Sequence, residues 1–491
     1  MEEAHGRRPP PEGTGVAQAR GTDGEVKDIR AAFWALHVPL AYALTLSPRL
    51  GTAHALAALL YGLKAGVTRD SGAALCALGY VAGAEVLWRM TGAALNWEFG
   101  KYASTLIAAV ALVSECRRGP SAPADQGVSE AAGRGSPSSP VPREWTWRPM
   151  IYFALLLPAA IPTFAQLGWS PARRIVSFNL SGPFALAVLS TYLWRRPAGR
   201  RELSRLLLAI TAPILGIAFL AAYSTFTSPL AFSVESNVVS SGGFGPNQVS
   251  GLLGFGALLG LVSGTLMLAP GPLQMAIFAL TVGFIAQGLL TFSRAWVPSV
   301  LAAALAFGAH LNGTPWLLRR FLGWSAACAL SVLLLLPGLH ALTGERLLPR
   351  FTNPSTTGRV GRVQGELRGF RAHPLAGTGV GFSHLYLTGK SNAPHTEPTR
   401  MLAEHGAAGL AALVILGSIL VAGYRSALPG AARGVTAAFS IWATFVMFHS
   451  AMRVVAVPLA VAASLMAWHL DATDRGMGDD DRPLPHDPGG R

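Results

Sequence analysis

Apolar runs such as "ALCALGYVAGAEVLWRM", "SVLLLLPGL" and "AAGLAALVILGSILVAGY" recur along the chain, separated by short polar stretches. Runs of this kind approach the roughly 20 residues that a helix needs to cross a bilayer's hydrocarbon core. A hydropathy pass predicts about fourteen spans. They begin near Ala31, Ala53, Ser71, Phe99, Met150, Asn179, Arg205, Ser250, Pro272, Trp296, Phe321, Glu404, Val435 and Val454. The expected fold is all-α, a polytopic membrane protein with one long extracytoplasmic loop that carries an amphipathic helix.

The polar intervals give the orientation. "RRPAGRRELSR" (195–205), Arg319 with Arg320, and "RSALPGAARG" (425–434) are basic and belong in the cytoplasm. So does the stretch after Cys116, whose Pro, Ser, Gly and Ala content marks a flexible linker. With both termini inside, one alternation of spans satisfies all four. The organisation read from this is a polar tail over 1–30, spans over 31–116 and a cytoplasmic linker over 117–148. A membrane core over 149–424, further spans over 425–470 and a polar tail over 471–491 complete it.

Composition supports the membrane reading. Hydrophobic residues make up 51% of the chain and charged residues 13%, where a soluble domain carries about a quarter charged. The formal net charge of +14 fits basic cytoplasmic loops. Nucleic-acid binding is not expected, because no basic stripe is interleaved with stacking aromatics. The first residues lack the basic-then-apolar layout of a cleavable signal peptide. Cys76, Cys116 and Cys328 stand too far apart for a disulfide framework or a cysteine metal site.

The same alternation places three polar segments outside: 225–249, the turn "TFSRAWVPS" around Arg294, and a loop over about 343–403. That loop holds Arg346, Arg350, Arg359, Arg362, Arg368, Arg371, Lys390 and Arg400. So many outer cations run against the usual bias, although long loops obey it less strictly; the alternatives are a solvated loop or a site for an anion. Val360, Val363, Leu367 and Phe370 recur with helical spacing. The predicted helix lays this stripe on the membrane surface, with Arg359, Arg362 and Glu366 on its flank.

Arg294 lies at the end of a span, where an ionisable group is by default functional unless it snorkels to the interface. Asn247, in "GGFGPNQVSG", precedes another span and fits either a bent re-entrant backbone or a plain helix-start turn. "SNAPHTEPTRMLAEHG" gathers His395, Glu397, Arg400, Glu404 and His405 beside an apolar run. His395 and His405 do not make the HExxH spacing of a zinc site, so no metal or other cofactor is expected. An imidazole with a pKa of about 6.5 suits proton transfer, and Glu397 is the competing base. Glu85 and Arg89, four apart in one span, are expected to pair. Gly256, Gly260 and Gly264 form a stripe for close helix packing.

Four pieces in this order, "FGPNQVSG", "TFSRAW", "GRVGRVQGELRGFRAHPLAGTGVGF" and "PHTEPTRMLAEHGAAGL", resemble the O-antigen ligase and O-antigen polymerase superfamily of bacterial surface polysaccharide assembly. The likeness covers roughly residues 205–424. The family's "T-x-SR" piece falls on Arg294, its loop-opening "GR" on Arg359, and its loop-closing histidine on His395, with Glu404 and Gly406 following. Thr396 stands where the family commonly has Asn, Val363 where it usually has an aromatic, and no arginine precedes the "PN" piece. "EVLWRMTGAALNWEFGKY" is similar to the early segment of exopolysaccharide-related members.

The resemblance implies transfer of a glycan from undecaprenyl pyrophosphate to an acceptor hydroxyl, on lipid A core or on another lipid-linked repeat. It places the protein in the bacterial inner membrane with its site facing the periplasm. His395 or Glu397 would serve as base, and Arg294, Arg359, Arg362, Arg400 and Asn247 would bind pyrophosphate or substrate. The expected partners are the lipid-linked glycan, an acceptor glycolipid and membrane lipids. The rival reading is a transporter or flippase of lipid-linked oligosaccharides. Transporters often show paired internal repeats, and no second copy of the loop or of "GPNQVSG" exists in the chain.

Overall fold

Most apolar runs become helices, and some are bounded by the residues that ordinarily start and stop one. In a computed structural model, the structure describes residues 17–117, 147–229, 231–233, 235–267, 271–353, 358–387 and 396–470, with side chains from residue 32 onward. Helix α1 (Ala17–Leu46) leads into α2 (Pro48–Thr68), which starts on Ser47 and Pro48 and stops at Arg69 in left-handed conformation. Proline at the first helical position costs nothing, since its missing N–H would be unpaired there anyway. The Asp70 carboxylate then accepts from the Ala73 N–H at 2.8 Å and opens α3 (Ser71–Met90), followed by α4 (Phe99–Cys116).

The span expected from Met150 is instead two short helices, α5 (Arg148–Ala154) and α6 (Ala160–Leu167). Pro158 lies in the interruption, and Gly168 turns the chain at φ 70°. The next helix, α7 (Trp169–Leu193), therefore starts ten residues before the expected Asn179. After a three-residue strand β1 (Pro197–Gly199) come α8 (Arg200–Thr227), α9 (Pro246–Leu266), α10 (Pro272–Leu290), α11 (Trp296–Ala309) and α12 (Pro315–Leu342). The loop region holds α13 (Leu347–Thr352) and α14 (Arg359–Ala372). Helices α15 (Glu397–Ser426), α16 (Ala431–Met447) and α17 (Ala456–Ala463) precede β2 (Ala467–His469), which pairs in parallel with β1.

Among the described residues, nine helices are long and apolar enough to cross a membrane: α2, α3, α4, α7, α8, α9, α10, α12 and α15. Residues 32–46 of α1, α11 and α16 are apolar but shorter. The fold is thus all-α and of membrane type. The expected span from Val454 contains only the eight residues of α17.

Glycines set the packing. A Cβ at Gly83 of α3 would lie 2.3 Å from the Ile210 carbonyl oxygen of α8, and one at Gly79 would meet Leu206. The pairing of 79 with 206 and 83 with 210 makes α3 and α8 parallel neighbours. The stripe Gly256, Gly260 and Gly264 on α9 faces Phe284, Thr281 and Trp324, each too close for a methyl group. Within their most apolar stretches α9 is 89% buried and α12 only 11%. α9 is therefore the central post and α12 the peripheral one.

Candidate anion site and buried ion network

Three of the four resembling pieces meet at the ends of α9, α10 and α14. The turn between α10 and α11 holds Phe292 in left-handed conformation, φ 57°. It is fixed from every side. The Thr291 hydroxyl donates to the Gly288 carbonyl at 2.7 Å, Asn237 N–H donates to the Thr291 carbonyl at 2.9 Å, and the Ser240 hydroxyl donates to the Leu290 carbonyl at 2.6 Å. Ser293 then donates to the Asn247 side-chain oxygen at 2.8 Å, which joins "TFSR" to "GPNQ".

Arg294 follows, and its guanidinium donates to the Asn353 carbonyl just after α13. Arg350 of α13 donates to the Phe292 carbonyl at 2.8 Å. Arg359, at the first position of α14, lies close enough to Arg294 and Arg350 for their charges to repel. Burial lowers the Arg359 pKa from its usual value, and the charges of Arg294 and Arg362 lower it further. Burial likewise lowers Arg350, and the Glu235 carboxylate opposes this. Neither Arg359 nor Arg362 has a hydrogen bond or ion pair to a described residue. Guanidiniums remain charged despite such crowding, so the cluster carries positive charge in excess and suits a phosphate-like anion.

Helix α14 exists where the spacing predicted it, but it buries a different face. Gly365, Glu366 and Gly369 are buried, while Val360 of the apolar stripe is 50% exposed. The two glycines explain this. A Cβ at Gly365 would lie 2.5 Å from the Tyr386 carbonyl oxygen, and one at Gly369 would press on the Tyr386 ring. The helix therefore approaches the 382–386 turn and α15 through its glycine edge and carries Glu366 inward, not along a solvated flank. The hydroxyls of Thr396 and Thr399 both donate to one carboxylate oxygen of Glu366, and the other oxygen has no partner. Burial pushes the Glu366 pKa up to about 7, opposed by the Thr399 bond and by Arg400.

The cluster that closes the loop is an ion network. Arg400 donates to Glu397 and, at 2.8 Å, to Glu404, and reaches the Asn179 carbonyl at 3.3 Å. Glu397 also accepts from Met452 N–H at 3.3 Å, and Glu404 from the Ser383 hydroxyl at 2.8 Å. All three charged side chains are buried. Arg400, expected to bind pyrophosphate, is thus held by two carboxylates, and Glu397, expected as a competing base, is held by Arg400. His405 is buried behind them. His395 and Lys390 lie outside the described residues.

Below this network α15 kinks at Gly406, φ 58° and ψ −134°. The "HPLAGTGVGF" segment is threaded into the kink. Thr378 N–H donates to the Ala403 carbonyl at 2.8 Å and Gly379 N–H to the Glu404 carbonyl at 3.1 Å, while Ala407 N–H donates to the Leu375 carbonyl at 3.2 Å. These bonds give the Ala403 and Glu404 carbonyls and the Ala407 N–H the partners that an unbroken helix would supply from within itself.

Two residues joining this region were not singled out in the sequence. Gln248 accepts from Arg89 at 3.0 Å, and Arg89 pairs with Glu85 at 2.5 Å as expected. An arginine thus does reach the "PN" piece, from α3 and not from the preceding loop. His449, between α16 and α17, bonds Ser299 at 3.1 Å, and burial with Arg359 beside it pushes its pKa down to about 3. The signal for His449 was an ionisable residue between two apolar runs. No group of three or more His, Cys, Asp or Glu side chains able to hold a metal occurs among the described residues. No protein-family model matches the chain, and no curated protein matches it.

Proposed function

We propose that the protein is a membrane glycosyltransferase of the O-antigen ligase and polymerase type. It acts in the bacterial inner membrane with its site on the periplasmic side. The observation that carries the reading is the convergence of Arg294, Arg350, Arg359 and Arg362 near the ends of apolar helices, with Glu235 the acidic group that acts on them among the described residues. The donor is a glycan on undecaprenyl pyrophosphate, and the acceptor is a sugar hydroxyl of lipid A core or of another lipid-linked repeat. The acceptor oxygen attacks the anomeric carbon. The bond from that carbon to the pyrophosphate oxygen breaks, and its electron pair leaves with undecaprenyl pyrophosphate. A pyrophosphate is a stable anion that needs cations more than an acid, and fixed guanidiniums supply them. The hydroxyl proton passes to a base, for which the sequence resemblance selects His395. Asn247 orients the turn that carries Arg294.

Purified protein supplied with lipid-linked oligosaccharide in detergent tests this, since no gradient exists there for a transporter to use. Formation of a transferred or lengthened glycan, lost in Arg359→Ala and His395→Ala, supports the reading. Transport in vesicles with no transfer in detergent replaces it with the flippase reading.

A further inference from the structure

A second site lies at the opposite end of the helices, between α1, α2, α3 and α8. Two adjoining cavities of about 450 and 410 Å³ share Phe33, Tyr61, Cys76 and Ala209. Their characters differ. The first is walled by aliphatic side chains and by the rings of His37, His54 and Tyr80. The second contains Arg205 and Asp70.

The polar atoms of those rings are spent on one another. Trp88 donates its indole N–H to His54 Nδ1 at 2.9 Å, so a neutral His54 carries its proton on Nε2 and donates to the Tyr80 hydroxyl at 2.8 Å. At the other end the Phe33 carbonyl can only accept, so His37 Nδ1 donates to it at 2.8 Å. His37 Nε2 then accepts from the Tyr80 hydroxyl at 3.0 Å. Every donor and acceptor in the chain from Trp88 to Phe33 is matched in one direction. With these polar atoms paired to one another, the first cavity is lined mostly by carbon and is fit for hydrocarbon.

The other end is charged. The Asp70 carboxylate caps α3, and Arg205 makes no hydrogen bond or ion pair to a described residue. Both stand where α3 and α8 begin, beside the basic stretch 195–205 that belongs in the cytoplasm. From Asp70 to Tyr80 is ten residues of α3, about 15 Å at the helical rise, or roughly half the hydrocarbon core. Leu36 and Tyr61 on the rim are 58% and 54% exposed, so the groove opens sideways toward lipid.

We infer that this groove binds a diacyl phospholipid of the cytoplasmic leaflet, with its phosphate on Arg205 and an acyl chain against the His37–Tyr80–His54 rings. Charge and length select this occupant. Arg205 is the guanidinium that lines the groove, and its neighbouring carboxylates Asp70 and Glu202 are engaged as the caps of α3 and α8; one guanidinium at interface depth matches one phosphodiester, and the apolar reach matches one leaflet. The inference is independent of the glycosyl-transfer reading.

Native mass spectrometry of the full chain, delipidated and then titrated with phosphatidylglycerol or with a diacylglycerol of the same chains, tests it. One phosphatidylglycerol is expected to be retained, and the diacylglycerol lost. Arg205→Gln, which removes the charge, and Ala57→Trp, which fills the groove from an exposed position, are each expected to weaken retention by about tenfold or more. Both variants are to be checked for unchanged elution and melting. Undiminished retention in either folded variant, or equal retention of diacylglycerol, overturns the proposal.

Discussion

Arg294 and Arg350 are exchanged between their segments: each donates to a backbone carbonyl in the stretch that carries the other. Arg294 holds Asn353 of the loop region, and Arg350 holds Phe292 of the α10–α11 turn. Two like charges are thereby kept close by bonds that neither could make alone. The exchange also ties the turn to α13, whose Arg350 lies within electrostatic reach of Arg359.

Removing either arginine is expected to cost more than its own charge. A hydrogen bond from a charged donor contributes about 1.5–3 kcal/mol, so Arg294→Gln and Arg350→Gln should each lower glycan transfer by about 10- to 100-fold. The double variant should fall well short of the product, because the two act as a unit. Strictly multiplicative losses in the same transfer assay would show that the exchange does not couple them.

Gly406→Ala is expected to destabilise the protein strongly. Its backbone angles are closed to residues with a side chain, at about 1–3 kcal/mol. A methyl group there would also lie 2.6 Å from Gly377 N and the Leu375 carbonyl oxygen. Gly417→Ala on the same helix, with open space around it, should be neutral or stabilising by up to about 1 kcal/mol. Thermal melting of both variants in one detergent checks the contrast.

Arg400→Met would leave Glu397 and Glu404 buried without their shared cation. Breaking one partner of a buried ion pair costs about 3–5 kcal/mol, so this variant should melt far below wild type or fail to accumulate. Arg359→Met should melt near wild type, because no described side chain pairs with Arg359. If both variants melt alike, the division between structural and ligand-facing arginines is wrong.

Glu366 gives a dependence on pH. Its folded pKa is raised from 4.5 to about 7, so the folded state keeps a proton that the unfolded chain releases. Its contribution to stability therefore falls as pH rises through that window and stays low above it. Glu366→Gln should remove this slope and raise stability at pH 8, by of order 3 kcal/mol at most. Melting points between pH 5 and 8 decide it; parallel curves for the two proteins would contradict the assignment.

Much of the helical layout was legible because lipid-crossing helices need long apolar runs. It failed where proline and glycine cut a run, as at Pro158 and Gly168. Arg294 and Asn247 were legible for a related reason, as polar residues at the margin of apolar segments, and the structure joins them through Ser293. Glu366 was not. A lone carboxylate on a basic helix reads as solvated, and its burial depends on Gly365 and Gly369 letting the helix approach Tyr386. Nor did spacing reveal that Arg400 is neutralised. Its two carboxylates stand at the helical intervals of three and four, but only depth distinguishes a buried trio from a surface one.

The threaded kink in α15 bears on the order of assembly. The carbonyls of Ala403 and Glu404 take their hydrogen bonds from Thr378 and Gly379, residues that precede them in the chain. The bend can close only after 375–379 has been delivered to the end of the membrane where α15 starts. Closure of the bend in this long apolar helix therefore depends on where the segment before it is placed, a dependence written into the backbone rather than into any side chain.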